Sequence, residues 1–109
     1  MISADSIRGY VDIMVLAILE RAPSYAYEIA KIINQEAAGQ YTIKQTTLYS
    51  AVKRLEASGY VSPFEAVSDS GKTRTYYQLT PAGQGALTDK CAEWETTKVV
   101  VDRFVEGRR

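Results

Sequence analysis

The chain has 109 residues, 46% hydrophobic and 24% charged, with 13 basic and 13 acidic side chains. That length suits one domain with one core, and the composition is that of a soluble globular protein. It has no histidine, and Cys91 is its only cysteine, which excludes a Ser-His-Asp triad, a Cys-His pair, an internal disulfide and any zinc or iron–sulfur centre built from those residues.

No pair of carboxylates stands apart from the solvated helix faces, so no enzyme, metal or cofactor is expected. No apolar run approaches the roughly 20 residues that span a bilayer. The opening MISADSIRGY lacks the layout of a secretory signal. A cytoplasmic protein without a membrane partner is the expectation. Charge is unevenly spread: residues 1–39 sum to −2, 40–80 to +2 and 81–109 to 0. The zero total counts against a generic polyanion binder, while the middle third is the positive one.

The first predicted helix covers 7–20, IRGYVDIMVLAILE. Its apolar positions include Ile7, Val11, Ile13, Met14, Leu16, Ile18 and Leu19, a stripe wider than one amphipathic face. Such a helix needs cover on two sides, which points to a partner chain. Ser24 is a fair N-cap for a second helix over 25–38, with Gly39 as its left-handed stop. QYTIK (40–44) has the make-up of a small strand.

A third helix follows. Leu48, Ala51, Val52 and Leu55 fall at i, i+3, i+4 and i+7 and form its buried face. The opposite face holds Gln45, Thr46, Tyr49, Ser50 and Lys53, with Arg54 at the flank and Gly59 as the stop. YVSPFEAV (60–67) reads as an edge strand because of Pro63. SDSG is a turn, and TRTYYQL returns with Tyr77 and Leu79 facing in. Arg74 and Tyr76 then face out, with Lys72 near the tip. Thr80-Pro81 opens the last helix as N-cap and N1, and it runs to about 106. Leu87, Cys91, Trp94, Lys98, Val101 and Val105 share one row of it. A helix this long, with an apolar stripe, pairs most simply with another chain.

The fold expected is mainly α with a small β wing. The second and third helices form a helix-turn-helix, and a two-stranded wing follows. Residues 1–80 make the winged helix-turn-helix and 81–109 a dimerisation helix, packed as one compact unit. The third helix's outward face is uncharged and aromatic where a solvated face would carry Glu and Lys. That pattern suits double-stranded DNA. Gln45, Thr46, Tyr49 and Ser50 are the expected groove residues, and Lys53 and Arg54 the phosphate contacts. Lys72, Arg74 and Tyr76 would grip the backbone or minor groove. The bland readings are a solvated helix and an ordinary hairpin.

Three segments, VLAILERAPSYAYEI (15–29), TLYSAVKRLEASGYV (47–61) and KTRTYYQLTPAGQGAL (72–87), resemble in order the PadR family of bacterial transcriptional regulators. Ala26 replaces a common Gly and Val52 a usual Leu, each keeping a small or apolar side chain. The resemblance implies a homodimer in which the single C-terminal helix packs on the partner's first helix. Val11, Met14, Ile18, Leu87, Trp94, Val101 and Val105 are the expected dimerisation residues. It also implies a repressor released by a small-molecule effector. Trp94 matches the tryptophan of the multidrug-sensing subgroup, with Ile13, Leu87, Cys91 and Lys98 as expected pocket neighbours. Lys98 would favour an anionic ligand. Cys91 is expected to be buried packing rather than a redox sensor. Two alternatives stand beside this reading: a winged helix that binds protein rather than DNA, and a Trp94 that only packs.

Overall fold

The computed structural model describes residues 1–108. The chain opens with a one-turn helix, α1 (Ala4–Ile7), whose Ser3 hydroxyl accepts from the Ser6 amide at 3.1 Å. A 3-10 turn over Arg8–Tyr10 leads into α2 (Val11–Arg21). The single helix expected over 7–20 is thus interrupted. Gly9, a poor helix former, sits in the 3-10 turn, and Tyr10 is the N-cap of α2.

Next come β1 (Ser24–Tyr25) and α3 (Ala26–Glu36). Ser24 is not the N-cap that the sequence suggests; Tyr25 holds that place. Ser24 is buried opposite Tyr77 in the sheet, and its hydroxyl donates to Glu28 Oε1 at 2.5 Å. After α3 the chain reverses through two left-handed residues, Ala38 (φ 49°) and Gly39 (φ 84°). Residues 40–44 form no strand. Tyr41 and Ile43 do alternate inward, but they join no ladder among the described residues; the Ile43 amide donates to Asn34 Oδ1 at 2.8 Å instead.

The third long helix is α4 (Gln45–Ala57). Gly59 closes it at φ 79°, letting the Tyr60 amide donate back to the Leu55 carbonyl at 3.0 Å. β2 (Val61–Val67) and β3 (Thr73–Leu79) follow, in register from Val61 opposite Leu79 to Val67 opposite Thr73. The sheet has three strands in the order β1-β3-β2, all antiparallel, so the expected two-stranded wing gains a third member. Pro63 lies on an edge strand, where a missing N–H costs no ladder bond.

Thr80 caps α5 (Pro81–Val105) as expected, its Oγ1 accepting from the Gly83 amide at 3.0 Å. The same hydroxyl donates to the Gly59 carbonyl at 2.7 Å, which joins the start of α5 to the end of α4. A last 3-10 turn spans Glu106–Arg108.

The core gathers Val15, Leu16, Ile29, Leu48, Val52 and Leu55, all essentially without solvent contact. α5 joins it only near its start, through Gly83 and Leu87. Beyond that the helix runs out of the body, giving extents of 53 × 30 × 20 Å. No helix among the described residues is long and apolar enough to cross a membrane.

Candidate nucleic-acid interface

The buried row of α4 is the one expected: Leu48, Ala51, Val52 and Leu55 are each at most 2% exposed. With that row fixed, a helix of 3.6 residues per turn must turn Thr46, Ser50 and Lys53 outward. Gln45, Thr46, Tyr49, Ser50 and Lys53 are all exposed. The structure brings these five together on one surface. The Lys53 ammonium lies 5.2 Å from the centroid of the Tyr49 ring and 3.5 Å from Glu56. Tyr77, Glu56 and Tyr49 together raise its pKa above the usual lysine range.

Arg54, expected at the flank of this face, is engaged within the chain. Its guanidinium turns toward α2, with Nη2 donating to Asp12 Oδ1 at 2.5 Å and Nε to Oδ2 at 3.4 Å. This pairing, Asp12's hydrogen bond above all, holds the Arg54 pKa higher still. One step round the helix from the exposed polar row, Arg54 is a brace between α2 and α4. Asp12 gave no sign of this in the sequence, because its partner lies 42 residues away.

The wing residues part company as well. Lys72 is exposed beside the Ser68–Gly71 turn. Tyr77 faces in and is 2% exposed, as expected. Tyr76 lies on the outer face but only half exposed, inside an aromatic row. It stacks on Phe64 (centroids 5.6 Å apart, 27° between planes) and meets Tyr25 edge-on at 5.2 Å. Arg74 is half-buried too, its guanidinium carbon 4.7 Å from the Tyr25 ring centroid. Tyr25 is a member that sequence reasoning missed. A two-residue strand carries too little periodicity to be seen, and it alone places Tyr25 opposite Tyr76.

A second feature lies far from this surface, on the projecting part of α5. An open groove of about 690 Å³ is lined by Tyr10, Trp94, Lys98, Val101 and Val105, among others. Tyr10 meets Trp94 edge-on, with centroids 4.8 Å apart at 63°. Lys98 sits 5.7 Å from the Trp94 centroid, yet its ammonium pairs with Glu95 at 3.0 Å. Ile13 falls in a smaller adjoining recess of about 70 Å³ that also touches Trp94.

Four expectations for α2 and α5 need correction. Leu87 is 3% exposed and belongs to the protomer's own core, not to a pocket or a dimer face. Val11 and Ile18 are likewise buried within the protomer, and Met14 is half-buried. The wide apolar stripe of α2 is used up largely by α3, α4, β3 and α5 of the same chain. Cys91 is exposed rather than packed, and lines neither recess. On α5 the exposed large apolar residues are instead Trp94, Val99, Val100, Val101, Phe104 and Val105. Phe104 is the most open of them at 81%, and it was missed, although it stands one helical step after Val101.

A helix pair that carries an outward polar face, followed by an antiparallel hairpin packed beside it, defines a winged helix-turn-helix protein. The chain belongs to the transcriptional regulator PadR-like family, whose model matches residues 15–89. It is similar to a transcriptional regulator from Clostridium thermocellum, with a TM-score of 0.87 and 47% identity over 96% of this chain and 99% of that one. It is 35% identical to a transcriptional regulator from Mycobacterium tuberculosis over 68% of each chain. The Bacillus subtilis PadR, solved in complex with operator DNA, shares the fold at a TM-score of 0.66 and 20% identity, over 75% of this chain and 46% of that one.

Proposed function

We propose that this regulator binds double-stranded DNA in a sequence-selective manner as a homodimer and represses transcription in the cytoplasm. One observation carries the reading: Gln45, Thr46, Tyr49 and Ser50 form an exposed, uncharged face on α4. Gln pairs with adenine edges, and Thr meets a thymine methyl or a phosphate. Lys53, and Lys72 and Arg74 on the wing, supply backbone contacts that fix register. Arg54 contributes through its brace to Asp12 rather than as a free cation. Two copies of α4 would enter successive major grooves about 34 Å apart.

The dimer reading is supported by the exposed row from Trp94 to Val105, which a lone helix would leave in water. Residues 81–109 act in it as the dimerisation helix. An effector seated against Trp94 in the open groove would release DNA by favouring one dimer geometry over another. With one tryptophan in the chain, quenching by planar ligands reports that binding directly. Its absence across such ligands, with DNA binding intact, would leave Trp94 as packing.

The decisive experiment is fluorescence anisotropy with the DNA upstream of the protein's own gene against scrambled DNA. A dimer making about 6–10 phosphate contacts loses roughly 10³–10⁵ in affinity between about 50 and 200 mM salt. Selective binding with such a slope supports the reading. A flat response with no selectivity would favour a protein-binding winged helix.

A further inference from the structure

We infer that Tyr25 is a positioning residue for the wing's DNA contact, acting by holding the guanidinium of Arg74. The inference rests on the DNA-binding reading above and adds to it a residue outside α4 and the hairpin.

The geometry is specific. β1 sets Tyr25 directly opposite Tyr76, so both rings share the outer face of the sheet. Phe64, opposite Tyr76 on the other side, completes a row of three rings across three strands. Arg74 lies two residues before Tyr76 on the same face and rests 4.7 Å from the Tyr25 centroid. Its Nε is fully covered and has no hydrogen-bond partner among the described residues. A covered, unpartnered N–H is a cost, so the ring contact must outweigh it for this rotamer to stand. With Nε shut away, the two Nη nitrogens are the donors left to meet a phosphate.

The consequence is entropic as well as electrostatic. A free arginine gives up rotamer freedom when it is fixed on a ligand. An arginine already stacked on a ring has lost much of it on folding. Tyr25 thereby raises DNA affinity without touching DNA. It is also the N-cap of α3, so the arginine is referenced to the helix-turn-helix rather than to the hairpin alone.

The test is anisotropy with a fluorescein-labelled mixed-sequence duplex across a salt series, for wild type, Tyr25→Phe, Tyr25→Leu, Arg74→Ala, Arg74→Lys and the Leu/Ala double variant. Tyr25→Phe keeps the ring and should bind as wild type. Tyr25→Leu should lose roughly two- to fivefold, the scale of one exposed cation–π contact. In the Arg74→Ala background the same Leu substitution should cost nothing further, and the salt slope should already be shallower. Arg74→Lys leaves Tyr25 and the β1 pairing in place but cannot stack as a plane; it should lose about as much as Tyr25→Leu. That variant decides the matter if Tyr25→Leu does not fold. A Leu effect that persists without Arg74, or an Arg74→Lys protein that binds as wild type, overturns the inference. A wild-type protein that binds no duplex at any salt overturns the DNA reading, and this inference with it.

Discussion

Gly83, in the first turn of α5, lies directly against the carbonyl of Tyr60 at the start of the wing. A Cβ built on Gly83 would stand 2.0 Å from that oxygen and 2.8 Å from Leu79 Cδ1. The first is backbone and cannot swing aside. This contact, with Thr80's hydrogen bond to the Gly59 carbonyl, seats the long helix on the end of α4. Gly83→Ala should therefore destabilise the protein by about 1–3 kcal/mol or more, the range for overpacking a filled site. Thermal melts should show a midpoint lower by at least about 4 °C. Gly85→Ala, two residues on, meets nothing within 4 Å and should melt as wild type or slightly higher. Equal midpoints for the two variants would show that α5 is seated less closely than this.

The Asp12–Arg54 pair offers a different test, because it restrains a cation at the edge of the proposed reading face. Asp12 is 21% exposed and Arg54 55%, so the pair itself is worth only about 0.2–1 kcal/mol. Asp12→Ala removes one negative charge beside α4 and frees a guanidinium. Non-specific DNA affinity should rise, and the salt slope should steepen by up to about one phosphate's worth per protomer. Arg54→Ala should move affinity less than Lys53→Ala does. An Asp12→Ala protein with a slope no steeper than wild type would mean that Arg54 is not free to turn to the DNA.

Within α4 itself, Gln45 and Lys53 should separate specificity from affinity. On the proposed reading Lys53→Ala removes a charge that would meet any phosphate, so binding should weaken almost equally on all sequences. Gln45→Ala removes an amide suited to a base edge and should cost about 1–3 kcal/mol on the preferred site alone. Competition with scrambled duplex measures both. Losses of the same size on both duplexes for Gln45→Ala would move that residue from base reading to backbone contact.

How much of this was legible in the sequence depended on range. Most local signals read true: Thr80-Pro81 capped its helix, Gly59 stopped α4, and the i, i+3, i+4, i+7 row from Leu48 was the buried one. Ser24 as a cap and an unbroken helix through Gly9 were local misreadings; the other failures were non-local. Val11 and Ile18 looked like surplus apolar surface because nothing in a helical pattern says how many neighbours one small domain can supply. Tyr41 and Ile43 alternate as a strand does, but alternation without a ladder partner makes no strand, and the Ile43 amide is taken by the Asn34 side chain. The Tyr25–Arg74 contact depends on a two-residue strand that joins positions about fifty residues apart.

Two buried phenols give the fold a defined response to alkali. Tyr41 and Tyr77 are 7% and 2% exposed, and burial raises both pKa values above the usual phenol range; Lys53 partly offsets the shift at Tyr77. The native protein thus keeps protons that the unfolded chain releases. Stability from this source is fully present below the unfolded pKa of about 10. It is lost as pH rises from there through the folded values. Urea midpoints taken from about pH 8 to 11 should fall above the unfolded value. Tyr77→Phe should flatten that fall, since the group that titrates is gone. An unchanged fall in both Tyr77→Phe and Tyr41→Phe would assign it to other groups.

The exposed row on α5 makes the last prediction, about assembly. Val101 and Phe104 are 54% and 81% exposed on a helix that has left its own core. A carboxylate placed there meets only water if the chain is a monomer, and costs almost nothing. In a dimer it would be buried against apolar side chains, at a cost of several kcal/mol unless paired. Phe104→Glu should then shift the sedimenting species from dimer to monomer at micromolar concentration, with the midpoint of the wing's own unfolding little changed. Val67→Glu makes the comparison fair. Val67 is 67% exposed but sits on β2 of the wing rather than on α5, so that variant should sediment as wild type. A wild-type protein that sediments as a monomer, or a Phe104→Glu dimer, would take α5 out of the interface.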